Sequence, residues 1–130
     1  LPHNYDENCV AYTGTHDNDT LQGWLEKIDD NLLLITSQYF IGSQIAIEKA
    51  KTMVKNGELR ELMIKSAFMS NAAYAVIPMQ DIIGCGNEAR MNMPSTTGAN
   101  WTWRMSSSDL KKKTAEKLEL LSTLYGRNLD

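Results

Sequence analysis

Two short runs of apolar residues, far apart in the chain, predict the two strands of a sheet. They cover residues 9–13 and 74–77, and continuous apolar runs of this length suit a parallel sheet that is covered on both faces. A connection of about sixty residues separates them, which is long enough for a helical crossover, so the strands should run parallel. Pro78 follows the second run and ends its regular pairing, because proline has no N–H to donate.

Between and after these strands, apolar residues recur at the three- and four-residue spacing of helices. Asp19 or Thr20 can cap the first helix, Gly42 interrupts the second, and Asn56-Gly57 can end the third. The pattern therefore predicts an α/β fold of two parallel strands, a helical crossover and a C-terminal helix. The first four predicted helices cover residues 20–28, 30–40, 43–55 and 58–69. Ser107 or Ser108 can cap a fifth helix, which Gly126 ends. The apolar side of this last helix carries Leu110, Thr114, Leu118, Leu121 and Tyr125.

Polar side chains follow both strands directly. His16 and Asp17 lie in the loop of residues 14–19, and Gln80 and Asp81 come just after the second strand. Because the carboxyl ends of parallel strands meet at one rim of a sheet, we expect these four side chains to share that rim. Loops at that rim are where barrel-type α/β folds place their chemistry.

Residues 84–106 are rich in Gly, Asn, Ser, Thr and Pro. A structureless connection of this length is uncommon in a compact domain, which favours a functional loop. Arg90, Asn100 and Arg104 could reach a ligand from it or could bind the loop's own carbonyl groups. Trp101 and Trp103 could stack on a ligand or be buried, since buried aromatic residues are common.

Composition limits the classes of partner. The 130 residues are 42% hydrophobic, with a net charge of −3, which allows a sizeable core and argues against a nucleic-acid partner. No apolar run is long enough to span a membrane. The two cysteines, Cys9 and Cys85, do not form a disulfide framework, and a cytoplasmic location is expected.

The acidic loop does not predict a metal site. A calcium loop starting at Asp17 would need an acidic residue at its twelfth position, where the chain has Ile28. A metal-dependent phosphohydrolase also uses His-Asp pairs, but it needs further ligands, and the chain has only two histidines. We therefore expect neither a metal nor a cofactor.

Two long motifs, in the right order and at a suitable separation, resemble the amylomaltase family of 4-alpha-glucanotransferases. The first motif comprises residues 1–5 (Leu-Pro-His-Asn-Tyr), 12–20 (Tyr-Thr-Gly-Thr-His-Asp-Asn-Asp-Thr) and 23–24 (Gly-Trp), and the second comprises residues 78–92 (Pro-Met-Gln-Asp-Ile-Ile-Gly-Cys-Gly-Asn-Glu-Ala-Arg-Met-Asn), Pro94, Gly98, 100–101 (Asn-Trp) and 103–104 (Trp-Arg). One small departure is Cys85, where the family usually has a bulky aliphatic residue.

The resemblance implies the carboxyl-terminal portion of a (β/α)8 barrel that transfers α-1,4-glucan segments between maltooligosaccharides with retention. By resemblance, Asp17 holds sugar hydroxyls and stabilises the transition state, and His16 donates a hydrogen bond to the same ring. Gln80, Asp81, Arg90 and Asn100 are the substrate contacts that we expect. The nucleophile and the acid/base, which such a reaction requires, belong to earlier strands in the family, and their motifs are not found here.

Because the chain begins with Leu1 inside a motif, we expect residues 1–130 to be the C-terminal fragment of a single catalytic barrel. On its own this fragment should be inactive, since two of eight strands cannot close a sheet. The alternative is a catalytically incomplete glucan-binding remnant, which the missing nucleophile favours.

Overall fold

The computed structural model describes residues 1–128 and contains a two-stranded parallel sheet. Strand β1 (Val10–Tyr12) pairs with strand β2 (Tyr74–Val76), with Ala11 opposite Ala75. The predicted parallel arrangement is confirmed, although each strand is one or two residues shorter than its apolar run. Both carboxyl ends consequently face the same way, toward the loops that follow Tyr12 and Val76.

Helices make up most of the rest. The crossover between the strands is helical, as predicted, and a long helix closes the described part of the chain. The α-helices are α1 (Leu21–Leu25), α2 (Asp30–Ile41), α3 (Ile47–Lys55), α4 (Glu58–Met69), α5 (Met79–Ile83) and α6 (Lys112–Leu124), and short 3-10 helices cover Pro2–Asn4, Asn87–Ala89 and Ser107–Asp109.

Side-chain caps explain several helix boundaries. The Thr20 hydroxyl accepts a hydrogen bond from the N–H of Gly23 at the start of α1, and Asp29 accepts two at the start of α2. Gly42, with a φ of 77°, ends α2 in the left-handed conformation that glycine adopts at no steric cost. Within residues 1–128, no helix is both long and apolar enough to cross a membrane.

Three predicted helix boundaries are wrong, and one helix was not predicted. Helix α1 ends at Leu25 rather than at residue 28. α3 begins at Ile47 rather than at residue 43, because Ala46 takes the extended conformation before it. Strand β2 ends before Pro78, as predicted, but helix α5, which the pattern did not predict, follows Pro78 immediately. The last helix begins at Lys112, because Ser106 and Asp109 cap each other across a separate 3-10 turn, and Leu110 is left exposed rather than on an apolar helical face.

The sheet is covered on one face among the described residues, not on both as predicted. Ala11 is 2% exposed and packs near Ala67 and Ala72. Its neighbours in the two strands alternate to the other side and are open: Val10, Tyr12, Tyr74 and Val76 are between 41% and 68% exposed. Side chains of successive strand residues point to opposite faces, so α4 covers only one of them.

Helix α4 is the centre of the core. One cluster joins its Leu59 to Leu25 of α1 and Leu33 of α2. A second joins its Ile64 and Phe68 to Leu21 of α1 and to Leu121 of α6, with Leu118 and Tyr125 packed against it as the helical spacing predicted. Both ends of the short helix α1 are thus buried against α4, which fixes the loop that leads into it.

Candidate active site

The loop of residues 14–19 is a hydrogen-bonded turn between β1 and α1. Asn18 Oδ1 accepts from the N–H of Thr15 at 2.7 Å and from its hydroxyl at 2.8 Å, and the Asn18 N–H donates back to the Thr15 carbonyl at 3.1 Å. An asparagine that binds its own backbone in this way is typical of tight turns. The turn exposes the two residues inside it, His16 and Asp17, to solvent.

The Asp17 carboxylate is exposed but held. Asn92 Nδ2 donates to Asp17 Oδ1 at 2.6 Å, and His16 Nε2 lies 3.3 Å from the same oxygen. The side chains of His16 and Asp17 are 53% and 47% exposed. The arrangement leaves an oriented carboxylate and an imidazole side by side on the surface.

Arg90 connects this loop to the segment after β2. Its Nη2 donates to the carbonyl of Asp17 at 2.6 Å, its Nη1 donates to Asp19 Oδ1, and its Nε donates to the carbonyl of Asn92 at 2.8 Å. The Arg90 and Asp19 side chains are only 20% and 19% exposed. A guanidinium presents its donors in a rigid planar fork. The Arg90 side chain therefore holds Asp17 and Asp19 of the first loop and Asn92 of the second in fixed relative positions.

Asp19 is the charged partner that holds Arg90. Its other carboxylate oxygen accepts from Lys27 Nζ and from Asn87 Nδ2, both at 3.1 Å. Burial alone would raise the pKa of Asp19, but the hydrogen bonds from Lys27 and Asn87 and the charges of Lys27 and Arg90 outweigh it, so the pKa lies below its ordinary value. Asp19 is therefore ionised at neutral pH.

Asn87 joins Asp19 to the start of helix α1. Its Oδ1 accepts from the Thr20 N–H at 3.1 Å while its Nδ2 donates to Asp19. The side chain fits only because residue 23 is glycine: a Cβ there would lie 2.7 Å from Asn87 Nδ2 and closer still to its Oδ1. This close approach gives a physical reason for glycine inside a helix, where it is otherwise unfavourable.

Asp81 and Gln80 lie beneath the loop, on α5. Asp81 is 2% exposed, and its two oxygens accept from the Leu21 N–H at 2.7 Å and from the Thr13 hydroxyl at 2.6 Å. Gln80 is 9% exposed and donates to the Ala89 carbonyl at 3.3 Å. Asp81 thus joins the end of β1 and the start of α1 to α5.

Two adjoining cavities flank the loop. His16 lines one of about 150 Å³ together with Gln80 and Asp81, and Asp17 lines another of about 580 Å³ beside Tyr12. Arg90 lines both. The four side chains expected on one rim therefore line neighbouring cavities: Gln80 and Asp81 share the smaller one with His16, and Asp17 lines the larger one.

Trp101 covers His16 from the long loop. The two rings are tilted by 39° with centroids 4.9 Å apart, and Trp101 is 51% exposed. The backbone N–H of Trp101 donates to the Met91 carbonyl at 2.6 Å, and the φ angle of Trp101 is 65°. A non-glycine residue in the left-handed region is uncommon and is found where surrounding contacts enforce it.

Asn100 and Arg104 are engaged within their own loop. Asn100 accepts from the Met93 N–H at 3.0 Å and donates to the Thr96 carbonyl at 3.2 Å. Arg104 donates to the carbonyls of Trp101 and Trp103, both at 2.8 Å. Asn100 and Arg104 were expected either to reach a ligand or to bind the loop's own backbone. The contacts that the structure describes are of the second kind.

The sequence model of one protein family, described as 4-alpha-glucanotransferase, matches residues 1–111. The chain belongs to the 4-alpha-glucanotransferase family. A 4-alpha-glucanotransferase of Clostridium butyricum is 41% identical over 130 residues, which are 98% of this chain and 24% of that protein. A chloroplastic/amyloplastic 4-alpha-glucanotransferase of Solanum tuberosum is 38% identical over 98% of this chain and 21% of its own length.

A solved structure, amylomaltase from Streptococcus agalactiae in complex with acarbose, superimposes with a TM-score of 0.84 at 31% sequence identity. The alignment covers 99% of this chain and 24% of the amylomaltase chain. The predicted α/β portion of an amylomaltase fold is therefore confirmed. The chain spans about a quarter of the length of the relatives that it matches.

Within this family fold, the structure brings His16, Asp17 and Arg90 together at the surface, with Trp101 over the imidazole. It places Gln80, Asp81, Arg90 and Asn100, the predicted substrate contacts, in contact with protein groups, and their roles as substrate contacts stay predictions. Among residues 1–128 there is no group of three or more His, Cys, Asp or Glu side chains that could hold a metal ion.

Sequence reasoning did not single out Asn87 and Asn92. Both lie in the segment of residues 78–92 that supports the family resemblance, two or three positions from Arg90. Amide side chains so close to a charged residue in a functional loop are a usable signal. Their partners, Asp19 and Asp17, are 68 and 75 positions away, and nothing in the spacing indicates that pairing.

Proposed function

We propose that this chain works as one segment of a longer 4-alpha-glucanotransferase, which moves α-1,4-glucan segments between maltooligosaccharides with retention of configuration. The chain supplies Asp17 and His16 to the subsite in which the glycosidic bond breaks. Family membership supports the activity, and the match to only a quarter of each relative supports a longer protein. Residues 1–130 then form the carboxyl-terminal portion of one catalytic barrel.

The geometry of Asp17 is the observation on which this proposal mainly rests. The carboxylate is held through Oδ1 and exposed to solvent, a combination that suits a group that binds a ligand rather than one that maintains the fold. A glucose ring that loses its glycosidic bond flattens and develops positive charge. Hydrogen bonds from sugar hydroxyls to a fixed carboxylate strengthen as that charge grows, and they lower the barrier.

His16 and Trp101 complete this surface. The imidazole lies beside Asp17 and beneath the indole ring of Trp101, which restricts its orientation and suits a donor to the same sugar ring. The Streptococcus agalactiae amylomaltase was solved with acarbose, and we propose a glucan chain as the ligand here too. The nucleophile and the acid/base of the retaining reaction are assigned to other parts of the intact enzyme, meaning the full-length protein that contains this segment.

The test is Asp17→Asn in the intact enzyme, with glucose release from maltotriose as the assay. We expect kcat to fall by about 10²- to 10³-fold, the range for loss of one preorganised electrostatic group, with an unchanged melting temperature because Asp17 is exposed. Asp30→Asn, an equal change at an exposed surface ion pair, is the matched control. Unchanged turnover of Asp17→Asn would refute the assignment.

The isolated 130-residue chain gives a second test. Because the open face of its sheet exposes Val10, Tyr12, Tyr74 and Val76, and because the nucleophile lies elsewhere, we expect no glucose release and a tendency to aggregate. Lengthening of maltotriose by the purified segment would contradict the assignment of the missing groups to the rest of the enzyme.

We include a cytoplasmic location in the proposal. Cys9 and Cys85 are both free, and unpaired thiols suit a reducing compartment. Fractionation of cells that produce the intact enzyme would test this expectation.

A further inference from the structure

We propose that Asn92 is a positioning residue for Asp17: its amide holds one carboxylate oxygen so that the other faces the ligand. The inference rests on the proposed function of Asp17, and it concerns a residue that the motif analysis left without a role. Asn92 Nδ2 donates to Asp17 Oδ1 at 2.6 Å, a short bond to a charged acceptor. Such charge-assisted bonds are about twice as strong as neutral ones.

Both side-chain contacts of Asp17 fall on the same oxygen. His16 Nε2 lies 3.3 Å from Oδ1, the atom that already accepts from Asn92. In the described part of the chain, no group donates to Oδ2. A carboxylate that is held at one oxygen has its rotation about the Cβ–Cγ bond fixed, and its second oxygen stays available for an incoming hydroxyl.

Asn92 is itself held from two directions. Its backbone N–H donates to the His16 carbonyl at 3.0 Å, and its own carbonyl accepts from Arg90 Nε at 2.8 Å. Arg90 in turn donates to the Asp17 carbonyl and forms an ion pair with Asp19. These bonds hold the backbones at positions 16, 17 and 92 relative to one another, which keeps the Asn92 side chain within reach of the Asp17 carboxylate.

This arrangement explains why an amide suits position 92. The amide must present its nitrogen to Asp17, because a carboxylate oxygen can only accept. It orients Asp17 without adding a second charge to the site. Preorganisation of this kind acts mainly in the transition state, where a freely rotating carboxylate would have to be fixed as the sugar reacts.

A double-mutant cycle in the intact enzyme tests the proposal, with kcat and KM for maltotriose as readouts. We expect Asn92→Ala to lower kcat by about 10- to 100-fold, the loss that corresponds to one hydrogen bond to a charged group. KM should change by less than about twofold, because the residue acts through Asp17 rather than on the bound sugar. In the Asp17→Asn background the same change should lower kcat by less than about threefold, because residues that act as one unit are non-additive.

The outcomes separate the two proposals. If Asp17→Asn alone has normal turnover, the proposed function fails and the positioning role fails with it. If Asp17→Asn is impaired but Asn92→Ala is harmless, or if the two losses simply multiply, only the positioning role is overturned. A rise in KM with unchanged kcat would identify Asn92 as a direct sugar contact and would also overturn it.

Two further variants guard against a folding effect. Asn56→Ala removes an exposed asparagine from the turn between α3 and α4 and should leave kcat and the melting temperature unchanged. Asn92→Asp keeps the size of the side chain but replaces the donor with a second carboxylate, so it should lower kcat at least as much as Asn92→Ala. Full activity of Asn92→Asp would show that no donor is needed, and the proposal would be wrong.

Discussion

Replacing Gly23 with alanine would place a methyl group in the space that the Asn87 side chain fills. The new Cβ would lie 2.7 Å from Asn87 Nδ2, and closer to its Cγ and Oδ1, whereas real Cβ atoms essentially never approach a heavy atom within 3.0 Å. The Asn87 side chain can turn aside only by giving up its hydrogen bonds to Thr20 and Asp19. We therefore expect the substitution to break those bonds.

The magnitude follows from the bonds that are lost. The bond from the Thr20 N–H is worth about 1 kcal/mol, and the bond to the charged Asp19 is worth about 1.5–3 kcal/mol. Alanine is favoured over glycine within a helix by about 1 kcal/mol, which offsets part of the loss. The net cost of Gly23→Ala is therefore about 1.5–3 kcal/mol of the free energy of unfolding.

The assay is urea unfolding of the intact enzyme, with the same substitution made in two backgrounds. In the wild type, Gly23→Ala should destabilise the protein. In an Asn87→Ala background the clash is gone, so Gly23→Ala should be neutral or should stabilise the protein by up to about 1 kcal/mol through helix propensity.

The change of sign is the decisive result. If Gly23→Ala costs the same in both backgrounds, the closeness to Asn87 does not explain the glycine. Activity gives an independent check, because loss of the Asn87–Asp19 bond would loosen the ion pair between Asp19 and Arg90. We therefore expect kcat to fall along with stability in Gly23→Ala.

Two more predictions concern the carboxylates that hold the loop. Asp81→Ala leaves the buried N–H of Leu21 and the partly buried hydroxyl of Thr13 without an acceptor. It should cost about 2–4 kcal/mol in urea unfolding. A cost below about 1 kcal/mol would contradict this role, and Asp81→Asn should cost less than Asp81→Ala. Asp19 has a lowered pKa, so its contribution is complete above its ordinary pKa of 3.8 and is lost as the pH falls through its lower folded value. Acid titration of stability should therefore be less steep for Asp19→Asn, and parallel curves would refute the assignment.

Much of the helical fold could be predicted because apolar residues at helical spacing face the core, whereas the apolar strand residues Val10, Tyr12, Tyr74 and Val76 are exposed. The pairing of the two strands follows from the length of the crossover, and the contacts of Leu118 and Leu121 follow from helical spacing. The failures among the helices depended on local backbone chemistry. Ser106 and Asp109 cap each other at the start of a separate 3-10 turn, and helix α5 begins directly after Pro78. Neither effect changes the hydrophobic pattern.

The candidate site was predictable to a smaller extent. The motifs indicated His16, Asp17 and Arg90, and the structure brings these three together. The sequence did not reveal that all three nitrogens of Arg90 are used by the protein, or that Asn92 contacts Asp17. Hydrogen bonds between loops depend on the conformation of both loops, and no periodic pattern encodes that conformation.

The ordering of bonds around Asp17 also indicates why so many polar residues surround one carboxylate. In the proposed role Asp17 must stay exposed to meet a ligand, so burial cannot hold it, and an exposed loop side chain would otherwise rotate freely. The described contacts supply the missing restraint in steps: Asp81 and Asn87 fix the start of α1, Asp19 fixes Arg90, and Arg90 fixes the backbone of Asp17. Exposure rises from 2% at Asp81, through 19% and 20% at Asp19 and Arg90, to 47% at Asp17. The buried junction therefore restrains the loop without covering the group that we propose acts on the sugar.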